Sequence, residues 1–89
     1  MTASSCLRVA FVDDETEVRQ ANGQSLSLAG FEPVLFDSGE AALAGIGHDF
    51  AGVVVTDLRM PGIDGLELLR RLSERDDDLP VIMSTGSAT

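Results

Sequence analysis

An apolar run that ends in a carboxylate constrains this chain more than any other stretch. Residues 52–58 read Gly-Val-Val-Val-Thr-Asp-Leu. Three consecutive β-branched residues without polar alternation predict a strand that is buried on both faces of a parallel sheet. Asp57 then falls at the carboxyl end of that strand, where open α/β sheets bind their ligands. The Pro61-Gly62 pair that follows predicts a turn, because Pro fixes φ and Gly tolerates a positive φ.

Short apolar runs alternate with helical stretches along the chain. The runs predict four strands, at about 7–12, 31–36, 53–56 and 79–84. The stretches between them predict three helices, at about 15–29, 39–47 and 65–75. Strands separated by helices indicate a parallel sheet with right-handed crossovers. We therefore expect an α/β fold, and 89 residues allow one domain at most.

The helix ends and faces follow from capping and spacing. Asp14, Ser38 and Asp64 are the predicted N-caps, and Gly30 is the predicted stop of the first helix. The expected packing residues of helix 1 are Val18, Ala21, Ser25 and Leu28. Those of helix 3 are Leu66, Leu69 and Leu72, with Leu68 beside them. On the solvent side of helix 3, we expect i,i+4 ion pairs between Glu67 and Arg71 and between Arg70 and Glu74.

The composition excludes several classes of partner. The chain carries fifteen acids against six bases, for a net charge of −9, and all six bases are Arg. Such a chain repels phosphates, so direct nucleic-acid binding by this segment is not expected. A single cysteine, Cys6, favours a reducing cytoplasmic compartment. No apolar run approaches the length of about 20 residues that a membrane span needs, so no membrane partner is expected.

Polar residues stand at the carboxyl ends of three predicted strands. Asp13 and Asp14 end strand 1, Asp57 ends strand 3 and Thr85 ends strand 4. If strands 1 and 3 are neighbours, three carboxylates share a small volume, where they repel one another unless a cation intervenes. Mg²⁺ suits this oxygen-rich set and keeps waters that a phosphoryl oxygen can replace.

Asp57 could be a further ligand, a general base or a nucleophile that forms an acyl phosphate. Thr85 could donate a hydrogen bond to a transferred group. The plainer alternative is that these acids only cap helices and face solvent.

The motifs, in this order, resemble those of a response-regulator receiver domain. They are Asp13-Asp14, Asp57 after Val-Val-Val-Thr, Met60-Pro61-Gly62 and Ser84-Thr85-Gly86. The resemblance runs from Leu7 to the end, so that residues 1–89 form a partial receiver domain with a tail at 1–6. The segments 11–15, 28–31 and 57–62 are most similar to receivers of sigma-54-dependent C4-dicarboxylate transport regulators.

The resemblance implies a flavodoxin-like sheet with strand order 2-1-3-4-5 and helices on both faces. It implies that Asp57 accepts a phosphoryl group from a sensor histidine kinase. Mg²⁺ would be held by Asp13, Asp14, Asp57 and the backbone carbonyl of Arg59, and Thr85 would be the switch hydroxyl. The chain would then be a signalling module of a transcriptional regulator and not an enzyme.

The sequence departs from the family at its end. Strand 5 and helices 4 and 5 are absent, which leaves four strands in the order 2-1-3-4 and three helices. The active-site lysine of strand 5 is missing too, so we expect impaired phosphorylation. An open strand 4 edge predicts self-association. A Mg²⁺-dependent phosphohydrolase with Asp57 as nucleophile is an alternative, but Arg59 stands where such enzymes want a second acid. An inert structural fragment is the third reading.

Overall fold

The computed structural model describes residues 7–84, which form one parallel sheet flanked by helices. The elements are β1 (Arg8–Val12), α1 (Thr16–Leu28), β2 (Glu32–Phe36), α2 (Gly39–Gly45), β3 (Gly52–Asp57), α3 (Gly65–Arg75) and β4 (Val81–Ser84). The strand order is β2-β1-β3-β4. The predicted flavodoxin-like fold class is confirmed. No helix within the described range is long and apolar enough to cross a membrane.

The register of the sheet decides which strand ends meet. β1 lies between β2 and β3, and its last residue, Val12, pairs with Phe36 and with Thr56. Asp57 at the end of β3 pairs with Ser84 of β4. Residue 13 therefore leaves the sheet beside residue 57, so that two acids far apart in sequence become neighbours at one edge.

The core lies between the sheet and helices α2 and α3. Its buried members are Ala10, Val12, Ala42, Ile46, Val54, Met60, Leu68 and Leu72. The Arg75 side chain joins the two helices, since its Nη1 donates to the carbonyls of Leu43 at 2.8 Å and Ile46 at 3.0 Å. This face of the sheet is therefore covered by helices α2 and α3, and its core residues come from separate parts of the sequence.

The opposite face of the sheet is less completely covered. We expected β3 to be buried on both faces, and this is wrong for alternate residues. Val54 is fully buried, whereas Val53 and Val55 are only half-buried. The reason is that α1 packs mainly on β1 and β2. Ile82 of β4 is 54% exposed, so the uncovered apolar surface continues to the sheet edge.

Helix α1 differs from its prediction at its start and on its packing face. Glu15, and not Asp14, is the N-cap residue, and its side chain makes no capping bond. The buried residue of α1 is Gly23, whose small size admits the Leu35 side chain, whereas Leu28 is 82% exposed. Gly30, with φ of 95°, ends the helix as predicted.

Helix α3 confirms its predicted cap and ion pairs, and its predicted packing face is confirmed at Leu72 but wrong at Leu66. Asp64 accepts a hydrogen bond from the Glu67 amide at 2.9 Å. The ion pairs Glu67–Arg71 and Arg70–Glu74 form at 2.7 and 2.6 Å. These contacts hold the pKa of Glu67 at about 2, chiefly through hydrogen bonds from Arg70 and Arg71.

The buried stripe of α3 is Gly65, Leu68 and Leu72, whereas Leu66 is 58% exposed. Gly65 fixes this rotation, because a Cβ there would collide with the Asp57 carbonyl oxygen.

We predict that the 89-residue chain self-associates in solution. Within the described residues, β4 pairs only with β3, and an open edge beside apolar Val53, Val55 and Ile82 favours pairing with a second chain. Sedimentation velocity over a wide concentration range should show species heavier than the monomer.

The variant Ile82→Lys should shift this equilibrium toward the monomer, because a charge on an edge strand opposes pairing. Leu66→Lys, an equally exposed site on α3, is the matched control and should leave it unchanged. A single monomeric species at every concentration, including the highest, would contradict the prediction.

Candidate metal centre

Three carboxylates meet where β1 and β3 leave the sheet. Asp13 and Asp14 follow β1, and Asp57 is the last residue of β3. Each offers one carboxylate oxygen, and these oxygens all lie within 4.8 Å of one another. The three acids singled out in the sequence are therefore brought together, whereas Thr85 lies outside the described residues.

Asp13 is the most constrained member of the group. Its side chain is only 6% exposed, and its Oδ1 accepts a hydrogen bond from the Glu15 amide at 2.9 Å. Its own amide donates to the Phe36 carbonyl at 3.1 Å. The Arg19 Nη1 donates to its carbonyl at 2.9 Å. Both ends of the residue and one carboxylate oxygen are thus fixed.

The pKa of Asp13 is raised above its ordinary value of 3.8. Burial is the largest cause, and the charges of Asp57 and Asp14 add to it. The Glu15 amide and the Arg19 charge act in the opposite direction without cancelling the rise. The ionised form of Asp13 is therefore strained by its surroundings, and a nearby cation would relieve it.

Asp57 is half-buried and held through its neighbours in the chain. The Leu58 amide donates to the Ser84 carbonyl at 3.1 Å, and the Leu58 carbonyl accepts from the Gly65 amide at 2.9 Å. These bonds fix the segment after Asp57 between β4 and the start of α3. Arg59 follows in the same connection, with its side chain exposed.

A cavity of about 300 Å³ lies beside the carboxylates. Its walls come from the ends of β1, β3 and β4 and from α1, namely Phe11, Asp13, Glu15, Val18, Asn22, Asp57 and Ser84. Glu15 and Arg19 belong to this region but were not predicted as site residues, and Ser84 was predicted only as part of the Ser84-Thr85-Gly86 motif. Arg19 had a signal in the sequence, because it is the base that most closely follows Asp13 and Asp14.

The donor set fits a hard divalent cation. Carboxylate oxygens suit Mg²⁺, whereas structural zinc prefers thiolate and imidazole ligands. His48 lies elsewhere, in a groove with Arg70, Arg71 and Arg75. The other acidic group in the described range, Asp76–Asp78, forms a turn in which Asp76 Oδ1 accepts from the Asp78 amide at 3.1 Å. That bond accounts for its geometry without a cation.

Residues 9–89 match the response regulator receiver domain family. The match covers most of the chain, and the chain therefore belongs to this family of signalling domains.

Among relatives, the chain is 48% identical over 83 residues to the C4-dicarboxylate transport transcriptional regulatory protein DctD of Rhizobium meliloti. It is 49% identical over 79 residues to DctD of Pseudomonas aeruginosa. These matches cover 93% and 89% of the chain but only 18% and 17% of the relatives. The predicted likeness to receivers of C4-dicarboxylate transport regulators is confirmed.

Among solved structures, the response regulator TrrA of Thermotoga maritima, in complex with Mg²⁺-BeF, superposes with a TM-score of 0.82 and 31% identity. The superposition covers 86% of this chain and 67% of that one. The fold thus has a well-defined structural counterpart among response regulators.

We predict that Asp13→Asn stabilises the protein in the absence of divalent cations at neutral pH. The raised pKa means that the folded state holds its proton more tightly than the unfolded state, so stability falls as pH rises from 3.8 through the folded pKa. Asn removes that loss and keeps the oxygen that accepts from Glu15. Circular dichroism melts at fixed protein concentration should show a higher midpoint and a weaker pH dependence.

Added Mg²⁺ should reverse the order of the two melting midpoints, so that the parent chain melts above Asp13→Asn. A cation present at one hundred times its Kd stabilises the folded state by about 2.7 kcal/mol, and Asp13→Asn should gain far less. Asp77→Asn removes the same charge from an exposed turn and should behave like the parent chain. An Asp13→Asn variant that melts below the parent without Mg²⁺ would refute this account of Asp13.

Proposed function

We propose that this chain is the phosphoacceptor module of a two-component response regulator, with Asp57 accepting a phosphoryl group from a sensor histidine kinase. The observation that carries the proposal is the group of three carboxylate oxygens within 4.8 Å at the end of β3, in a member of the receiver family. The module acts in the cytoplasm as a signalling component and not as an enzyme.

The proposed reaction is a phosphoryl transfer between two side chains. A carboxylate oxygen of Asp57 attacks phosphorus, and an O–P bond forms as the P–N bond of the phosphohistidine breaks. The imidazole nitrogen leaves with the electron pair and takes up a proton, and Asp57 becomes an acyl phosphate. Transfer of this kind depends on positioning and on charge neutralisation rather than on covalent catalysis.

The ligands proposed for Mg²⁺ are Asp13, Asp14, Asp57 and the backbone carbonyl of Arg59. Bound there, the cation would neutralise charge on the phosphoryl oxygens. The structure of TrrA, a similar response regulator, was solved in complex with Mg²⁺-BeF, which supports the proposal that this chain binds Mg²⁺. Thr85, which follows β4 in sequence, is proposed as the switch hydroxyl that donates to a phosphoryl oxygen.

The output of the proposed signal is transcriptional. The DctD relatives are transcriptional regulatory proteins, and the chain corresponds to less than a fifth of their length. We propose that this segment is the N-terminal part of such a regulator. With a net charge of −9, the segment itself is unsuited to DNA, so any DNA contact belongs to another domain.

The absence of lysine from the sequence bears on the expected rate of Asp57 phosphorylation. Its six bases are all Arg, so no lysine side chain can stand beside Asp57. Because charge neutralisation would rest on the cation, we expect phosphorylation to be slow and strictly dependent on Mg²⁺.

The test is incubation with acetyl phosphate and Mg²⁺, followed by intact-mass measurement. We expect the mass gain of one phosphoryl group, which is lost when Mg²⁺ is removed by a chelator. Asp57→Asn should show no gain, whereas Asp77→Asn, which removes an equal charge from an exposed turn, should be modified like the parent chain.

Two outcomes would overturn the proposal. Repeated release of inorganic phosphate without a lasting adduct would indicate a phosphohydrolase, although Arg59 occupies the position of the second acid that such enzymes use. No adduct at any Mg²⁺ concentration would indicate a fragment without this chemistry.

A further inference from the structure

The connection between β1 and α1 is fixed by three bonds that all end on Asp13. The Asp13 amide donates to Phe36 of β2, and its Oδ1 accepts from the Glu15 amide. The third bond comes from a side chain, since Arg19 Nη1 donates to the Asp13 carbonyl at 2.9 Å. Arg19 is therefore the one side chain among the described residues that holds the Asp13 backbone.

The Arg19 side chain folds back toward the start of its own helix. It lies in the first turn of α1, half-buried, and its amide donates to the Glu15 carbonyl at 2.9 Å. Its Nη2 also approaches the Thr16 hydroxyl at 3.4 Å. The guanidinium thus spans the first turn of the helix and reaches the end of the strand before it.

A positively charged side chain at this position does not stabilise the helix. The N-terminal end of a helix carries partial positive charge, which disfavours a basic side chain there. The last turn of α1, where a base would be favourable, has none. The position of Arg19 is explained instead by the carbonyl that it holds.

The consequence for Asp13 is a carboxylate set in place before a ligand arrives. Oδ1 is held by the Glu15 amide, which fixes one of the two oxygens of the carboxylate. Outer contacts that orient a ligand reduce the cost of organising a metal site, and losing one typically weakens metal affinity by 10- to 100-fold. Arg19 acts one step further out, because it holds the backbone of Asp13 and not the carboxylate itself.

We propose that Arg19 is a positioning residue for the cation site, holding the Asp13 carbonyl so that the Asp13 carboxylate faces Asp14 and Asp57. This inference rests on the proposed function. It makes a prediction opposite to that of simple electrostatics, because the positive charge of Arg19 would otherwise only repel a second cation.

The experiment measures the Kd for Mg²⁺ alone, by amide chemical shifts in an NMR titration at constant ionic strength. Arg19→Ala should weaken Mg²⁺ binding by about tenfold. The matched control, Arg71→Ala, removes an equal charge from the exposed side of α3 and should leave the Kd within about twofold of the parent value. Tighter or unchanged Mg²⁺ binding by Arg19→Ala would overturn the inference.

A second pair of variants keeps the test decisive if Arg19→Ala fails to fold. Arg19→Lys keeps a long donor that can reach the carbonyl, whereas Arg19→Gln loses both reach and charge. Positioning predicts tighter Mg²⁺ binding by the Lys variant than by the Gln variant. Repulsion alone predicts the reverse order, which would overturn the inference.

The outcome is separable from that of the proposed function. Suppose that the parent chain binds Mg²⁺, that the Arg19 variants bind it in the predicted order of affinity, and that Asp57 is never phosphorylated. The inference then stands and the proposed function fails. If Asp57 is phosphorylated but the Arg19 variants bind Mg²⁺ like the parent, the function stands and the inference fails. A parent chain that binds no Mg²⁺ overturns the inference.

Discussion

The proximity of three carboxylates is the constraint on which the candidate site of this structure depends. A parallel sheet brings the carboxyl ends of all its strands to one edge, so Asp13 and Asp57 become neighbours as soon as β1 pairs with β3. Hydrophobic burial along the two strands supplies the free energy that holds like charges together. The fold thereby creates a local excess of negative charge that water screens only in part, because Asp13 is almost fully buried. A divalent cation is the simplest species that can balance it.

The two faces of the sheet contribute differently to this edge. Helices α2 and α3 close one face, and the contact of Gly65 with the Asp57 carbonyl sets Asp57 against that packed layer. Helix α1 lies over the other face, where Val53 and Val55 stay half-buried. On that side, Asp13 is buried and is held by hydrogen bonds at its amide, its carbonyl and Oδ1. The Asp57 side of the site is held by packing against the layer of α2 and α3, and the Asp13 side depends more on single hydrogen bonds.

Much of this arrangement could be predicted from sequence because its signals are local. The apolar run that ends at Asp57 indicated both the strand and the edge, and Asp64 followed by Glu67 indicated the start of α3. The errors arose where tertiary packing decides. Asp14 has the right residue type for a cap, but α1 begins one residue later, with Glu15 as its N-cap residue. The spacing of leucines allowed either face of α3 to pack, and the close approach of Gly65 to Asp57, which selects the buried face, is not visible in a single sequence.

The central claim is that a hard cation binds at the three carboxylates, and the most direct test is to locate where such a cation binds. Mn²⁺ takes carboxylate and carbonyl ligands as Mg²⁺ does, and it broadens the NMR signals of nearby amides. We predict that small amounts of Mn²⁺ broaden the amides of residues 13–15 and 57–59 first, and that excess Mg²⁺ restores them. Broadening centred on residues 76–78, the other acidic group within the described residues, would contradict the account, as would broadening that Mg²⁺ does not reverse.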